Sequence, residues 1–212
     1  MGKLNKKFDV KEVLALGYQK ALDSQFSIAE ANVQRLRRVH PEMSPSEMIS
    51  YLNKLYLGTV GISGAGAGAV AAAPNGAFQI PIAIAEFLGY LEASVLYAYS
   101  TMVINKLHPE DVERRTAIVT TILIGNSALT TLEKVIGETA PVWGKQLVKA
   151  IPNSAIQAIN VALRPQFITK WGATRGVLVL GKQIPIFIGA AVGSVGNVVF
   201  GNAVIKSARK IL

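Results

Sequence analysis

Two long stretches of this chain carry no charged residue, and in both of them small residues recur at every fourth position. The first runs for 31 residues, Leu55 to Ala85, and contains GTVGISGAGAGAVAAA at 58–73. The second runs for 23 residues, Gln183 to Ile205, and contains FIGAAVGSVGN. Gly61, Ala65, Ala69 and Ala73 form one row in the first stretch, with Gly64, Gly68 and Ala72 beside it. Gly189, Gly193, Asn197 and Gly201 form a row in the second. On an α-helix, residues four apart share a face, and a row of small ones makes a flat groove in which two backbones approach closely. Each glycine costs about 1 kcal/mol of helix propensity relative to alanine, so such helices need close packing or an apolar medium. Two of them in one chain are natural partners.

The same letters admit a rival reading. Gly64, Gly66 and Ala69 fit G-x-G-x-x-A, the dinucleotide fingerprint, which needs a strand, a glycine turn, a helix and an acidic residue on a second strand. Glu86 lies 22 residues after Gly64, and IPIAIAE would be its strand. Yet the intervening helix would be cut off at Pro74, and Pro81 would sit inside a buried strand that needs its missing N–H. No strand–helix alternation follows. Packing is the preferred reading, and a nucleotide-dependent enzyme ranks third among the functional ones.

Half the residues are hydrophobic and 17% are charged, against about 25% charged in an ordinary soluble domain. The formal net charge is +9, and it is unevenly placed. Residues 1–54 carry nine Lys/Arg and six Asp/Glu, residues 55–138 four and seven, and residues 139–212 nine and none. An acid-free, apolar C-terminal third suits anionic lipid head groups or phosphate-bearing ligands; a solvated basic face is the plainer alternative. Its candidate contacts are Arg164, Lys170, Arg175, Lys182, Lys206, Arg209 and Lys210. Nucleic acid fits less well, because no aromatic-interleaved strand or basic recognition helix is visible. With no cysteine, a disulfide framework and a thiolate metal site are excluded. MGKLNKKFDVKEV has no apolar core or cleavage site, and Lys6 stands where a myristoylation signal wants Ser or Thr. The expected location is the cytoplasm or the cytoplasmic face of a membrane.

Along the chain, amphipathic helix is expected to about Leu22, with Asp9 as its cap, and again over about 28–39. Ser44, Pro45 and Glu47 form a helix start with a reciprocal cap. An apolar helix is expected over about 82–104, and one opened by HPEDVERR that runs to Gly137. Shorter helices over about 142–150 and 154–169 precede a last one from about Ile184. Strands are conceivable only at Leu57–Ile62 and Val177–Leu180. The expected fold is all-α: a compact multi-helix bundle with Gly/Ala-rich, closely packed apolar helices. Residues 1–50 read as an N-terminal amphipathic segment and 51–212 as the main helical domain.

The stretch GISGAGAGAVAAAPNGAFQIPIAIAEFLGYL, the acidic HPEDVERR and the C-terminal GKQIPIFIGAAVGSVGNVVFGNAVIKSARK together resemble the EcsC family of bacterial proteins. The resemblance covers roughly 50–210. It implies a helical domain with a membrane connection and no defined reaction. A peptidase activity finds no motif here: HExxH is absent, and two histidines do not make a zinc site.

Few residues invite chemistry. His40 and His108 read as helix-end residues. Ser127, Thr130 and Thr131 lack His or Asp partners in sequence, and Ser63 is at the wrong offset for a nucleophile elbow. No cofactor or metal is implied. Glu86 and Glu92 stand alone in an apolar helix, so one of them is expected to be buried and paired with Arg175 or Lys182, or to form a cation or proton site. Asn197 reads as a residue that satisfies backbone at a helix contact. Tyr90, Tyr97 and Tyr99, with Phe87 and Trp143, suit either a membrane-interface belt or core packing. Two functions follow. One is a non-catalytic, membrane-associated protein that engages anionic lipid or inserts its small-residue hairpins. The other is a soluble helical module that binds a hydrophobic ligand, a protein partner or a second copy of itself.

Overall fold

A computed structural model describes residues 10–71, 79–109, 111–136, 151–180 and 186–212. Side-chain surroundings are described for all of these except 10–11, 63–71, 79–84, 136, 170–180 and 186–194. The fold is all-α. Its helices are α1 (Val10–Val39), α2 (Pro45–Ala71), α3 (Gln79–Ile104), α4 (Val112–Ile124), α5 (Asn126–Ile136), α6 (Asn153–Leu180) and α7 (Ile186–Ile211). No strand occurs among the described residues. Residues 57–62 and 177–180, the two conceivable strands, are helical, and so are 64–69. The fingerprint reading is thereby overturned, since its glycines lie inside α2 and not in a turn between strand and helix.

Local chemistry sets the helix ends. Ser44 N–H donates to Glu47 Oε2 (2.8 Å) while Glu47 N–H donates to Ser44 Oγ (3.3 Å), closing the cap anticipated before α2. The Ser44 hydroxyl and N–H hold the Glu47 carboxyl below its ordinary pKa. Asp111 caps α4 by accepting from Glu113 N–H at 2.8 Å. Asp9 and the helix expected over 142–150 lie outside the described residues.

Three boundaries differ from the sequence reading. Helix α1 is continuous through Asp23-Ser24-Gln25, where a break was expected. Ser24 Oγ donates back to Lys20 O (2.8 Å) and Gln19 bonds Asp23 (3.0 Å), so the polar run decorates the helix without ending it. The helix that opens at Val112 stops at Gly125, whose φ of 78° is the left-handed region and whose N–H caps Thr121 O at 2.8 Å. A new helix, α5, starts at the next residue. Helix α6 passes through Pro165 to Leu180, past the expected end at Thr169. Pro165 and Val161 are both exposed, so the carbonyl that proline leaves unbonded faces water.

Helix α4 sits at the centre. Every residue from Ala117 to Ile124 is buried, and α4 packs on α3, α5, α6 and α7. A helix that is apolar all round has no face to give to water. Around it the core gathers Leu14, Tyr18 and Leu22 from α1, Leu91 and Val95 from α3, Leu163 and Phe167 from α6, and Val204, Ala208 and Ile211 from α7. A smaller cluster of Val33, Met48, Val103 and Ile104 ties the end of α1 to the start of α2 and the end of α3.

The tyrosines belong to this interior. Tyr90, Tyr97 and Tyr99 are buried, so the interface-belt reading is corrected to core packing; Trp143 lies outside the described residues. Each hydroxyl finds a partner, as buried phenols require. Tyr99 donates to Leu22 O (3.2 Å), Tyr56 meets Ser94 (2.7 Å), and Tyr18 meets Thr120 (2.5 Å). Burial pushes the Tyr18 and Tyr99 hydroxyls well above the usual phenol pKa.

Candidate functional site

Helices α2 and α7 share the most extensive contact in the fold, and the described part of their seam fixes its register. A Cβ at Gly201 would stand 2.9 Å from Leu57 Cδ2, 3.3 Å from Val60 Cγ2 and 3.4 Å from Tyr56 Cε1. A larger residue there would push against these three side chains, the nearest of them the flexible tip of Leu57. One turn earlier on α7, the buried Asn197 donates Nδ2 to Val60 O at 2.9 Å. Residue numbers fall on α7 as they rise on α2, so the two helices run antiparallel. The C-terminal end of α2 and the N-terminal end of α7 therefore point the same way.

This register has a consequence for the outward side of the pair. Leu55 (54% exposed), Thr59 and Ile62 (76%) lie along the exposed face of α2, with Val195 (62%), Val199 (60%) and Ala203 along that of α7. Thr59 is level with Val199, and Ile62 with Val195. Neither helix has a charged residue along these faces until the end nearer the α2 N-terminus. There Lys54 precedes Leu55 on α2, and Lys206, Arg209 and Lys210 follow on α7, all four exposed. An uncharged helical surface thus meets a basic border. Lys54 was missed in the sequence reading, although it is the last charge before the 31-residue uncharged run.

The basic border is partly anchored. Arg209 Nη2 lies 3.1 Å from the Asn53 amide, which faces it with oxygen while its nitrogen donates to Tyr97 Oη (2.7 Å) and Ile49 O (3.2 Å). Lys210 Nζ donates to Asn126 Oδ1 at 3.4 Å. Lys206 extends into solvent.

Other expected site residues fall elsewhere. Gly61 is half-buried on α2. Gly64, Ala65 and Gly68 are helical in α2, and Gly189 and Gly193 in α7, with surroundings outside the described side chains. Lys170 and Arg175 lie on the second half of α6 in the same position, and Lys182 is outside the described residues. Glu86 is half-buried and accepts from Asn197 Nδ2 at 3.4 Å, so it joins the α2–α7 seam from α3. Glu92 is half-buried one helical segment further along. Whether Arg175 or Lys182 reaches either acid lies outside the described side chains.

Cavities border the bundle among the described residues. One of about 440 Å³ lies between α1, α4 and α6 and is lined by Tyr18, Gln19, Thr116, Asn160 and Arg164 among others. Asn160 Nδ2 donates there to Glu113 O (2.9 Å) and Glu113 Oε2 (2.6 Å), and its buried Oδ1 has no protein partner. Another, of about 400 Å³, is a more apolar groove between α1, α2 and α3. His40 and His108 lie near carboxylates at helix ends, Glu42 at 3.5 Å and Glu30 at 3.7 Å. No group of acidic and imidazole side chains suited to a metal ion occurs among the described residues.

One stretch among the described residues, Ala85–Ile104 on α3, is long and apolar enough to cross a membrane, and 67% of it is buried within the bundle. Comparison with protein-family models, with curated proteins and with solved structures finds no match.

Proposed function

We propose that this is a non-catalytic, peripheral membrane protein that lays the outward face of α2 and α7 on an anionic lipid surface. The observation that carries this reading is the register of the pair. It brings Ile62 level with Val195 on the exposed sides of the two helices and leaves Lys54 and Lys206 at one end of the pair. Interfacial helices combine an apolar face sunk about 5–10 Å into the head-group boundary with basic residues that meet anionic lipid.

Crossing would come at the expense of the core. The stretch Ala85–Ile104 contributes Tyr90, Leu91, Val95, Ala98 and Met102 to the buried cluster. Moving it into lipid would strip those contacts from α1 and α2. Lying flat leaves them intact. The EcsC resemblance belongs to the same proposal, as does a place at the cytoplasmic face of the membrane.

Flotation with vesicles tests the reading. The protein should float with vesicles containing phosphatidylglycerol and stay at the bottom with purely zwitterionic ones, and high salt should release it. Failure to float with anionic vesicles at low salt would remove the proposal.

A further inference from the structure

The groove between α1, α2 and α3 has features that the membrane reading leaves unused. Its volume of about 400 Å³ falls within the range of about 300–1,000 Å³ typical of small-molecule sites. Apolar side chains line it from all three helices: Val33, Leu36 and Val39 from α1, Leu52 and Leu55 from α2, and Leu96 from α3. Val39, Tyr51 and Leu55 are also among the large apolar residues left exposed, and all three converge on this one groove. Water-exposed apolar side chains facing each other across a concavity mark a place for an apolar occupant.

The polar groups define the rest of that occupant. No carboxylate lines the groove. Its fixed positive charge is Arg35, which is exposed and engaged by no ion pair or hydrogen bond among the described residues. His40, the other basic group there, lies beside Glu42 at 3.5 Å. Tyr56 and Tyr97 line the inner wall; the Tyr56 hydroxyl meets Ser94, and the Tyr97 oxygen accepts from the Asn53 amide. The wall is largely apolar, with Asn32, Thr59 and Ser100 as its other polar side chains, and the mouth offers one guanidinium. A long apolar tail with a single negative head meets both conditions, since arginine pairs a carboxylate through its planar fork.

We infer that this groove binds one long-chain fatty acid, with the chain along Leu36, Leu52 and Leu96 and the carboxylate at Arg35. The groove shares Leu55 and Thr59 with the exposed side of α2 and takes the rest of its lining from α1, α3 and the inner side of α2.

The test titrates the full-length protein with the polyene fluorophore cis-parinaric acid and displaces it with palmitate or with palmityl alcohol. Wild type should show saturable binding at one site. Ala93→Trp puts an indole into the groove and should weaken the fluorophore by more than about tenfold. Leu55→Gln, at the exposed lip, should weaken it about threefold without disturbing the fold. Arg35→Gln should weaken palmitate about fivefold, as loss of an exposed ion pair does, and leave palmityl alcohol unchanged. Non-saturable binding by wild type would overturn the assignment, and so would wild-type affinity in Leu55→Gln. Equal loss of acid and alcohol in Arg35→Gln would remove the carboxylate from Arg35. Ala93→Trp and Arg35→Gln lie off the α2–α7 face and leave vesicle flotation unaffected, so the two proposals fail separately.

Discussion

Two uncharged runs of this chain end in opposite surroundings. Thr116–Leu132 holds the central helix α4, and the protein surrounds it with large side chains on every side. Leu55–Ala85 holds most of α2, whose described part packs against α7 and α3 and leaves Leu55, Thr59 and Ile62 exposed. Both lack charge, so charge does not separate them. What separates them is how many of their sides the protein covers. Helix α4 buries every residue from Ala117 to Ile124, among them Ile118, Ile122, Leu123 and Ile124. Helix α2 turns Tyr56 and Val60 inward and leaves Leu55, Thr59 and Ile62 exposed.

The comparison can be broken at several points. The largest effect is expected in α4, where Ile122→Ala should cost about 2–5 kcal/mol by the cavity it opens. Urea unfolding measures this, and a loss below that range would mean that α4 is not the centre of the core. The seam comes next. Gly201→Leu drives a side chain into Leu57 and Val60 and should cost about 1–3 kcal/mol; unchanged unfolding would show that the helices do not approach there. Asn197→Ala removes the bond to Val60 O and should cost about 1 kcal/mol. The smallest effect on folding belongs to the outward face. Ile62→Ser combined with Val199→Ser should leave stability within about 0.5 kcal/mol, as surface changes do, yet abolish flotation with anionic vesicles. Equal loss of stability in that double variant would mean that the face is covered by the protein itself.

On the same surface, replacing Lys206 and Lys210 by alanine separates charge from apolar contact. Each basic residue near an anionic surface contributes about 1 kcal/mol. Vesicle affinity should therefore fall at low salt, and the gap from wild type should close as salt rises. A salt-independent loss would place those lysines in a structural role.

Much of the fold could be read from the residues. The Ser44–Glu47 cap follows from spacing alone, and the pairing of α2 with α7 was expected from their small residues, of which the described side chains place Gly201 and Asn197 at the seam. The misses have local causes. Ser24 bonds back to its own helix, which a polar cluster in sequence does not reveal. Gly125 breaks a helix inside an apolar run because its φ is positive, whereas Gly58 and Gly89 sit in helices without any such effect. The candidate surface was only half legible. Lys206, Arg209 and Lys210 stand out in an acid-free third, but Lys54 joins them only through the antiparallel register. The groove was invisible, since Arg35, Leu52 and Leu96 are far apart in sequence and ordinary in type.

That register also bears on the order of events during synthesis. Val60 and its partner Asn197 are 137 positions apart, so α2 leaves the ribosome long before the helix that completes its seam. Contacts this distant in sequence form late. Meanwhile the small-residue row on α2 is bare, a surface of the kind that chaperones shield or that associates wrongly. A chain truncated before α7 should therefore be far more prone to aggregate than one that carries it.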